Sequence, residues 1–507
     1  MKTFKNLTVL LITLISLYSC NLEEDPIFLE RNSVFSNETV TRATLDGIYQ
    51  ALTSYNAQER RYWSINGFSG FFATGKNGGN NVNNRNNANL FSLRPNFDQD
   101  SELMWGAIYS VIARCNAITN NVNIFESPST SDELSFNDIV GQAHFVRAWS
   151  YFSLVRLFND IPLWLKLPDN QNLSQSKTPA KEVYAQIIKD AQTAISLMNG
   201  QTGQGYPKPY AANMLLAKVY MTLATNPDLQ QDGITENQYW QLAYDEAIKV
   251  YGNYNLVSDY ASLFNGQNEN SSESIFELQL SQDAANSQMG RNFTPFKYKV
   301  GQHFGWFSIH AKIIDEHMAT YPDDPRIDAT YLFEYDRIDN GFTIRRYPAR
   351  DRNNYRNAHP YFFKFAEKDR QHSNQFNGQN IIVYRYGELL IMLAEISNEL
   401  QNGEQLGYVT ELLNRVGMTP HDGYLGSKDE FRDAIMREYR FEVLGEGEDA
   451  HNNRRRGYNY FLENIILEHN NYSQFDENVD LTLNTEQSQV MFLPIPLIEI
   501  NTNDLID

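Results

Sequence analysis

Residues 143–158 read AHFVRAWSYFSLVRLF, and their pattern is the strongest structural signal in the chain. Polar residues fall at positions 144, 147, 150, 153 and 156, which places them in one narrow stripe on a helix that is otherwise apolar. A helix with so little polar surface has to be covered by other elements. The following NDIP at 159–162 ends it, because a proline disfavours helical geometry in the residue before it. We therefore predict a long, mostly buried helix over 136–158.

Apolar residues recur at helical spacing on both sides of this segment. In the segment 210–224, alanines at several positions leave room for a neighbouring helix to pack closely. Helices that pair in this way indicate an all-α fold, a tetratricopeptide-like superhelix of helix pairs. Trp105, Trp149, Trp164 and Trp240 lie in or beside these helices and are predicted core residues. The further helices that we expect cover 37–51, 102–120, 181–199, 210–224, 239–251, 309–318, 383–401 and 429–445.

Two long segments, 54–100 and 252–380, are rich in Gly, Asn and aromatic residues and show no steady period. Irregular segments of this length are usually functional or disordered. We expect one domain over 37–507, in which helical and loop-rich parts alternate. The predicted scaffold is about 37–53, 101–251 and 381–446, and the predicted loop-rich regions are 54–100, 252–380 and 447–507.

The first 19 residues have the features of a secretory signal peptide. Lys2 and Lys5 precede an apolar stretch over 7–18, which is shorter than the roughly 20 residues of a membrane span. The stretch ends in Leu-Tyr-Ser-Cys at 17–20, which resembles the lipobox of bacterial lipoproteins, so Cys20 is predicted to carry a lipid. An ordinary signal peptide with a chance cysteine is the alternative.

Residues 20–36 are then a lipid anchor and an acidic linker. The cluster Glu23-Glu24-Asp25 resembles a surface-export signal, and a solvated linker explains it equally well. The other cysteine, Cys115, has no disulfide partner if Cys20 is acylated. Its apolar helical surroundings predict a buried, unreactive thiol.

Composition limits the classes of ligand. The formal net charge of −20 disfavours nucleic acid and anionic lipid surfaces, and it disfavours a strongly anionic polymer unless basic groups are concentrated locally. The 30 Tyr, 30 Phe and 6 Trp, together with abundant Asn, suit a sugar site, because aromatic rings pack on pyranose faces and amides bind hydroxyls.

Signatures of enzymatic sites are absent from the sequence. It contains no His-Glu-x-x-His, no Cys-x-x-Cys, no phosphate-binding loop and no Gly-x-Ser-x-Gly. We therefore predict no enzymatic activity, no cofactor and no metal. Two carboxylates brought together by the fold could still form a glycosidase pair, which leaves a glycoside hydrolase as an alternative.

Several segments, in their order along the chain, resemble the SusD/RagB family of outer-membrane nutrient-binding lipoproteins. After the lipobox at Cys20 they are the helix segments 105–118 and 143–163, the segment 211–220, Asp324-Pro325-Arg326, the segment 384–395, and Leu-Pro-Ile-Pro at 493–496. The family's usual basic residue and Asp-Leu pair after Glu446-Gly447 are replaced here by Asp449 and Asn452-Asn453, so we expect the Arg/Asp pairing there to be lost or rearranged.

This resemblance implies about eight main helices in four pairs beside a loop-rich ligand-binding part. It also implies a partner, a SusC-like TonB-dependent outer-membrane barrel, and a location on the outer membrane, anchored through Cys20 and facing the exterior. The implied function is non-catalytic capture of an oligosaccharide or polysaccharide and its delivery to the barrel. Peptide capture by the same architecture and a pure scaffold for protein assembly are further alternatives.

In the family the ligand site lies on the loop-rich side, so the resemblance places the candidates in the two irregular stretches. Gly305 lets the backbone come close to a ligand, which favours the residues on either side of it. Trp306 is the leading candidate, and a hydrophobic plug between loops and helices is the other interpretation of it. The candidates are Trp306, Trp63, Phe304, Asn66, Phe71, Phe72, Arg85, Tyr355 and Tyr361.

Overall fold

The computed structural model describes residues 35–73, 90–95, 99–167, 173–283, 287–347, 359–373, 377–472 and 482–506. The predicted signal peptide, Cys20, the acidic cluster, Arg85 and Tyr355 lie outside these ranges. Long helices make up most of the described structure, as predicted. They are α1 (Glu38–Leu52), α2 (Arg60–Gly67), α3 (Gln99–Thr119), α4 (Ser131–Phe158), α5 (Ala180–Leu197), α6 (Pro209–Ala224) and α7 (Glu236–Val250).

The second half of the chain adds shorter helices and completes the scaffold. Its helices are α8 (Met289–Phe293), α9 (Ala311–Thr320), α10 (Arg326–Thr330), α11 (Tyr386–Leu400), α12 (Gln405–Asn414), α13 (Lys428–Glu442), α14 (Asp449–Arg454), α15 (Tyr458–Phe461), α16 (Leu467–Asn470), α17 (Gln487–Val490) and α18 (Leu497–Thr502).

Successive scaffold helices pack against one another from α3 through α7, then α7 packs on α11 and α11 on α12 and α13. In α6, Ala211, Ala212 and Ala217 are fully buried, which lets α5 and α7 approach its two sides. The predicted helix-pair superhelix is therefore confirmed. Of the four tryptophans predicted to be core, Trp105, Trp149 and Trp240 are buried, and Trp164 is half-buried.

Helix α4 begins five residues before the predicted start because of its cap. The side chain of Thr130 accepts a hydrogen bond from the backbone N–H of Glu133, and the Glu133 carboxylate accepts one from the backbone of Thr130. This reciprocal arrangement satisfies N–H groups that a helix start leaves without partners. The buried face then runs through the whole predicted segment, with Cys115 of α3 packed in the same core. Burial raises the pKa of the Cys115 thiol, which keeps it protonated and unreactive.

Strands replace part of one predicted helix. Residues 383–385 were expected to begin the helix over 383–401, but Ile381–Arg385 forms β10, which pairs antiparallel with β4 (Ser274–Leu278). The run Ile-Ile-Val-Tyr favours a strand because β-branched and aromatic side chains fit a pleated surface. The helix α11 begins only at Tyr386. Helices α2 and α12, by contrast, form in places where no helix was predicted.

Short strands hold the loop-rich part together. β1 (Phe72–Ala73), β5 (Ser308–Ile309), β9 (Tyr361–Phe362) and β6 (Tyr331–Leu332) form one antiparallel sheet in that order. β7 (Glu334–Asp336) and β8 (Thr343–Arg345) form a separate hairpin, and β2 (Ile161–Pro162) pairs with β3 (Lys177–Thr178). The four-stranded sheet joins the first irregular segment to the second.

A buried ionic network ties these loops to the end of α13. Arg326 of α10 contacts Glu438 at 2.6 Å and Glu442 at 2.9 Å, and Arg385 of β10 contacts Glu446 at 2.6 Å. Burial alone would raise the pKa of Glu442, but the charges of Arg415, Arg385 and Arg326 outweigh it and hold that pKa well below the usual range. We call this the α13 network: Glu273, Asp324, Arg326, Arg385, Arg415, Glu438, Glu442 and Glu446.

The segment after Glu446, where the sequence departs from the family pattern, has rearranged its pairing as expected. Asp449 accepts a hydrogen bond from the backbone N–H of Gly445 at 2.6 Å, and burial raises its pKa to about 7. Arg454 donates to the backbone carbonyls of Ala450 and Val490 at 2.9 and 2.7 Å and lies over the ring of Phe68. Backbone groups thus bind Arg454, whereas the next arginine, Arg455, is paired with the carboxylate of Glu395.

In the ranges described, no helix has both the length and the apolar character needed to cross a membrane.

Candidate functional site

The two leading candidate tryptophans lie together, although they come from different irregular segments. Trp63 is on α2, and Trp306 is on the loop between α8 and β5. Their ring centres are 4.9 Å apart in an edge-to-face arrangement, which is a favourable geometry for aromatic pairs. Trp63 is 6% exposed, whereas Trp306 is half-buried and presents part of its ring to solvent.

Phe304 extends this pair. Its ring is stacked on that of Trp306, with the centres 4.5 Å apart and the planes 5° from parallel. The two side chains can stack because Gly305 between them has φ 55°, a left-handed conformation that glycine adopts without strain. A Cβ at this position would lie 2.8 Å from the Cα of Pro295 and 2.9 Å from the ring of Tyr361. Glycine is therefore required both for the turn and for its packing.

Backbone hydrogen bonds hold this turn in place. The N–H of Phe304 donates to the carbonyl of Arg291 at 3.1 Å, and the N–H of Trp306 donates to the carbonyl of Asn292 at 2.9 Å. The next residue, Phe307, is fully buried and stacks on Phe293 with ring centres 4.6 Å apart. The half-exposed rings thus rest on a rigid aromatic layer and not on a free loop. We call Trp63, Phe304, Trp306, Tyr361 and the arginines packed on them, Arg291 and Arg346, the aromatic face.

Two of the predicted ligand contacts are core residues instead. Asn66 is fully buried, and its side-chain amide lies 3.4 Å from the carbonyl oxygen of Gly445. Phe71 is 2% exposed, its carbonyl accepts a hydrogen bond from the N–H of His310, and its ring lies beneath Arg440. Neither side chain has surface to offer a ligand. The reason is that α2 and β1 make the segment around them part of the core, where an irregular loop was predicted.

Of the other candidates, one supports the aromatic face from below, one belongs to it, and two lie outside the described residues. Phe72 is buried against Phe307 and Phe362, so it supports the face from below. The ring of Tyr361 packs against Gly305 and carries the guanidinium of Arg346 at 4.3 Å. Arg85 and Tyr355 lie in segments that the structure does not describe, so their role remains a prediction.

Sequence reasoning did not identify two arginines of the aromatic face. The guanidinium of Arg291 lies 4.6 Å from the centre of the Phe304 ring, and Arg346 lies over Tyr361. A signal for the first was present, because the segment 291–310 contains Arg291, Lys297 and Lys299 but neither Asp nor Glu. Segments such as 60–97 and 205–227 also lack acidic residues, so this signal does not single out 291–310 by itself.

A carboxyl group lies near the base of the face. Glu59, in a π-helical turn over Tyr55–Glu59 that leads into α2, accepts a hydrogen bond from the backbone N–H of Gln288 at 2.6 Å. Its other carboxyl oxygen is buried and accepts no well-formed hydrogen bond from the residues that the structure describes. Burial raises the pKa of Glu59 to about 7. This side chain is 3% exposed, so it does not reach a ligand on the face.

A concave region lies on the scaffold and is lined by residues outside the aromatic face. It is a cleft of about 560 Å³ lined by 200–208, 253–255 and 270–277, with Tyr206 and Tyr254 among its walls. Its lining is polar, with Asn253, Asn255 and Asn270, and it lacks stacked aromatic rings. We call it the scaffold cleft. Among the residues described, no group of three or more His, Cys, Asp or Glu side chains is arranged to hold a metal ion.

Comparison with known proteins gives consistent matches over nearly the whole chain. A family model described as "Starch-binding associating with outer membrane" matches residues 69–221, and one described as "SusD family" matches residues 221–507. The chain is 24% identical to SusD-like protein P25 of Formosa agariphila, over 99% of this chain and 97% of that protein.

Solved structures share the fold. A SusD homolog from Bacteroides thetaiotaomicron superposes with a TM-score of 0.77 at 18% identity, covering 96% of this chain and 99% of the other. A crystal structure described as containing a xylogluco-oligosaccharide superposes with a TM-score of 0.70 at 18% identity, covering 91% of this chain and 97% of the other. At these identities the likeness concerns the fold, and the ligand has to be argued from the residues of this chain.

Proposed function

This chain belongs to the SusD/RagB family, and from that premise we propose that it captures a glycan at the outer surface of a bacterial outer membrane and delivers it to a SusC-like TonB-dependent transporter. The single observation that carries the proposal is the stack of Phe304 on Trp306 beside Trp63, held by backbone hydrogen bonds to 291–292. A pyranose packs its apolar C–H face on such a ring, while its hydroxyls bind neighbouring polar groups.

The rigidity of the aromatic face supports this proposal as much as the types of its residues do. Phe307, the residue after Trp306, is anchored in the buried aromatic layer, so the exposed rings do not have to be ordered when a ligand binds. A binding surface that is already ordered avoids most of the entropy cost of fixing side chains. The relatives add a further argument, since one protein of this fold is described as containing a xylogluco-oligosaccharide.

Calorimetry of the purified protein against a panel of soluble glycans tests the capture step. The panel includes neutral and charged oligosaccharides and a set of mixed-sequence peptides. Saturable binding of at least one glycan supports the proposal. Binding of peptides with no binding of any glycan would overturn the glycan part and favour peptide capture.

We further propose that capture involves no chemical step. Carboxylates that the fold brings close together in the α13 network, such as Glu438 and Glu442, are fully buried and bound to arginines, so they are not placed to act on a sugar. A glycosidase needs two carboxyl groups on either side of an accessible bond. Incubating the protein with each glycan that it binds, and assaying for new reducing ends, tests this point. Release of new reducing ends by the purified protein would show a hydrolase and contradict this part of the proposal.

Delivery requires a lipid anchor and a transporter. We propose that Cys20 is acylated and tethers the protein to the outer membrane, where it covers the barrel. Mass spectrometry of the membrane-extracted protein tests for the lipid, and affinity purification from solubilised outer membranes tests for the barrel. A protein that remains soluble and copurifies with no barrel would contradict this part and leave the capture step standing.

A further inference from the structure

Arg291 lies on the aromatic face, and no carboxylate of the described residues is paired with it. Its two terminal nitrogens donate to the side-chain oxygens of Gln302 at 2.9 Å and Gln288 at 3.5 Å. Its Nε is buried and has no hydrogen-bond partner among the described residues. The guanidinium is held over the Phe304 ring, 4.6 Å from its centre. A charged group is thus fixed beside the stacked rings, and a neutral amide is its strongest polar contact.

Arg346 repeats this arrangement at the adjoining ring. It donates to the hydroxyl of Tyr361 and lies 4.3 Å from the centre of that ring, which in turn packs against Gly305. Its Nε is also buried and without a partner in the part of the chain that the structure describes. Within the described ranges, an Nε without a partner also occurs in Arg415 and Arg440, which are paired with carboxylates. What sets Arg291 and Arg346 apart is that their described polar contacts are amides and a hydroxyl.

Four other arginines, two of them in the adjoining β7–β8 hairpin, are paired with carboxylates. Arg345, the residue before Arg346, is paired with Glu334 across the β7–β8 hairpin. Arg337 in the same hairpin contacts Asp339 at 2.6 Å. Arg326 and Arg385 are bound to several carboxylates each. The two arginines on the aromatic face therefore differ from those that the fold uses for its own stability.

The acidic groups near the face are already engaged. Glu59 is bonded to the backbone of Gln288 and is buried. Glu367 is bonded to Lys299, with His303 3.7 Å from it. The segment 291–310 itself carries no acidic residue. The face is thus a local basic region on a strongly acidic protein.

Resting on the proposed function, we infer that the captured glycan is anionic, and that Arg291 and Arg346 bind its charged groups while a pyranose ring packs on Trp306. The charged groups are the carboxylate of a uronic acid or the sulfate of a sulfated sugar. Two oxygens of either group can accept parallel hydrogen bonds from two N–H groups of one guanidinium. The aromatic rings beneath the guanidinium groups hold them in place before the ligand arrives.

Binding of three probes to the full chain tests the inference. The probes are an oligogalacturonate for carboxylate, a κ-carrageenan oligosaccharide for sulfate, and maltoheptaose as a neutral glycan. We expect binding of at least one anionic probe, weakening as salt is raised because ions screen the attraction. Which of the two binds more tightly decides between carboxylate and sulfate.

Substitutions test whether Arg291 and Arg346 bind the anionic probe. Arg291→Gln and Arg346→Gln should each weaken binding of the anionic probe about tenfold or more, because each removes a charge-assisted hydrogen bond. Arg345→Gln is the matched control: it removes the same charge one residue away, from an arginine that is already paired, and should change binding by less than about twofold. Circular dichroism and thermal unfolding establish that each variant is folded, and the salt dependence of the unaltered protein provides a test without substitutions.

The outcomes separate this inference from the proposed function. Binding of neutral glycans alone, unaffected by salt and by the two arginine variants, would overturn the anionic inference and leave glycan capture intact. Binding of acidic peptides with no binding of any glycan would overturn both. Equal loss of affinity in Arg345→Gln and Arg346→Gln would show a general charge effect and would overturn the assignment to these two residues.

Discussion

The arginines of the α13 network and those of the aromatic face have opposite surroundings. Arg326 is fully buried and contacts Asp324, Glu438 and Glu442. Arg291 and Arg346 are half-buried and contact amides, a hydroxyl and aromatic rings. The first set neutralises its charges internally, whereas the second leaves donors available. This difference underlies our proposal that one region holds the loops on the scaffold and the other binds the ligand.

The network performs its role through residues that are distant in sequence. Arg326 comes from the second irregular segment, Arg385 from β10, and the carboxylates of Glu438 and Glu442 from α13. Burying these charges is costly, and the cost is offset only while all partners are present. Removing a single partner therefore leaves an uncompensated charge in the interior.

The largest effect on stability should follow from breaking this network. Arg326→Met removes the partner of three buried carboxylates, and we expect the free energy of unfolding to fall by about 3–5 kcal/mol. Urea unfolding followed by circular dichroism measures it. The control is Arg337→Met, which removes a partly exposed surface arginine paired with Asp339 and should cost less than about 0.5 kcal/mol. Equal costs for the two variants would remove the distinction between a structural and a surface ion pair.

The helical part of the fold could be predicted from sequence because its signal is local. The polar stripe at 144, 147, 150, 153 and 156 identified α4, and only its capped first turn was missed. The error at β10 arose because an apolar run of four residues, Ile-Ile-Val-Tyr, fits a strand as well as a helix, and its partner β4 lies far away in sequence. Local pattern contains no information about such a partner.

The site was predictable only in part, for the same reason. Trp306 and Phe304 could be selected because Gly305 stands between them, and Trp63 because it is a tryptophan in an irregular segment. Asn66 and Phe71 looked equally suitable, since nothing local showed that α2 and β1 would bury them. The arginines were missed because an unpaired charge is recognised only when all its neighbours in space are known.

The aromatic face should respond to substitution mainly in binding. Trp306→Ala removes the half-exposed ring on which a pyranose would pack, and we expect a loss of binding free energy of about 2 kcal/mol, which is roughly thirtyfold in affinity. Calorimetry with the best glycan of the panel measures it. The control is Trp164→Ala, which removes a half-buried tryptophan of the scaffold. A comparable loss in both variants would mean that general destabilisation, and not the face, controls binding.

Glu59 sharpens the comparison because it is a buried carboxyl group that lacks an arginine partner. Its pKa of about 7 lies above the ordinary value of 4.5, so its contribution to stability is present below pH 4.5 and is lost as the pH rises through 7. Glu59→Gln keeps the shape of the protonated form. We expect the variant to be more stable than the unaltered protein at pH 8, by on the order of 3 kcal/mol, with the difference shrinking as the pH falls and disappearing only below about pH 4.5.

Thermal unfolding of both proteins across this pH range measures the effect. Asp449 also titrates near 7, but it is present in both proteins and cancels in the difference. A stability difference that does not vary with pH would show that Glu59 remains ionised in the folded protein.

The smallest effect is expected in the scaffold cleft. Tyr254→Ala removes an aromatic wall of this cleft, outside the aromatic face, and should change glycan affinity by less than about twofold. Calorimetry with the glycan used for Trp306→Ala measures it. A larger loss here than in Trp306→Ala would move the site to the scaffold.

Hydrogen–deuterium exchange of the unaltered protein, with and without a saturating glycan, tests most directly where the ligand binds. The account predicts that the glycan slows exchange in peptides covering 288–310 and 337–347, which contain Arg291, Phe304, Trp306 and Arg346. Peptides covering 200–208 and 253–277, which line the scaffold cleft, should be unchanged. Protection of the scaffold cleft with no change at 288–310 would contradict the assignment of capture to the aromatic face.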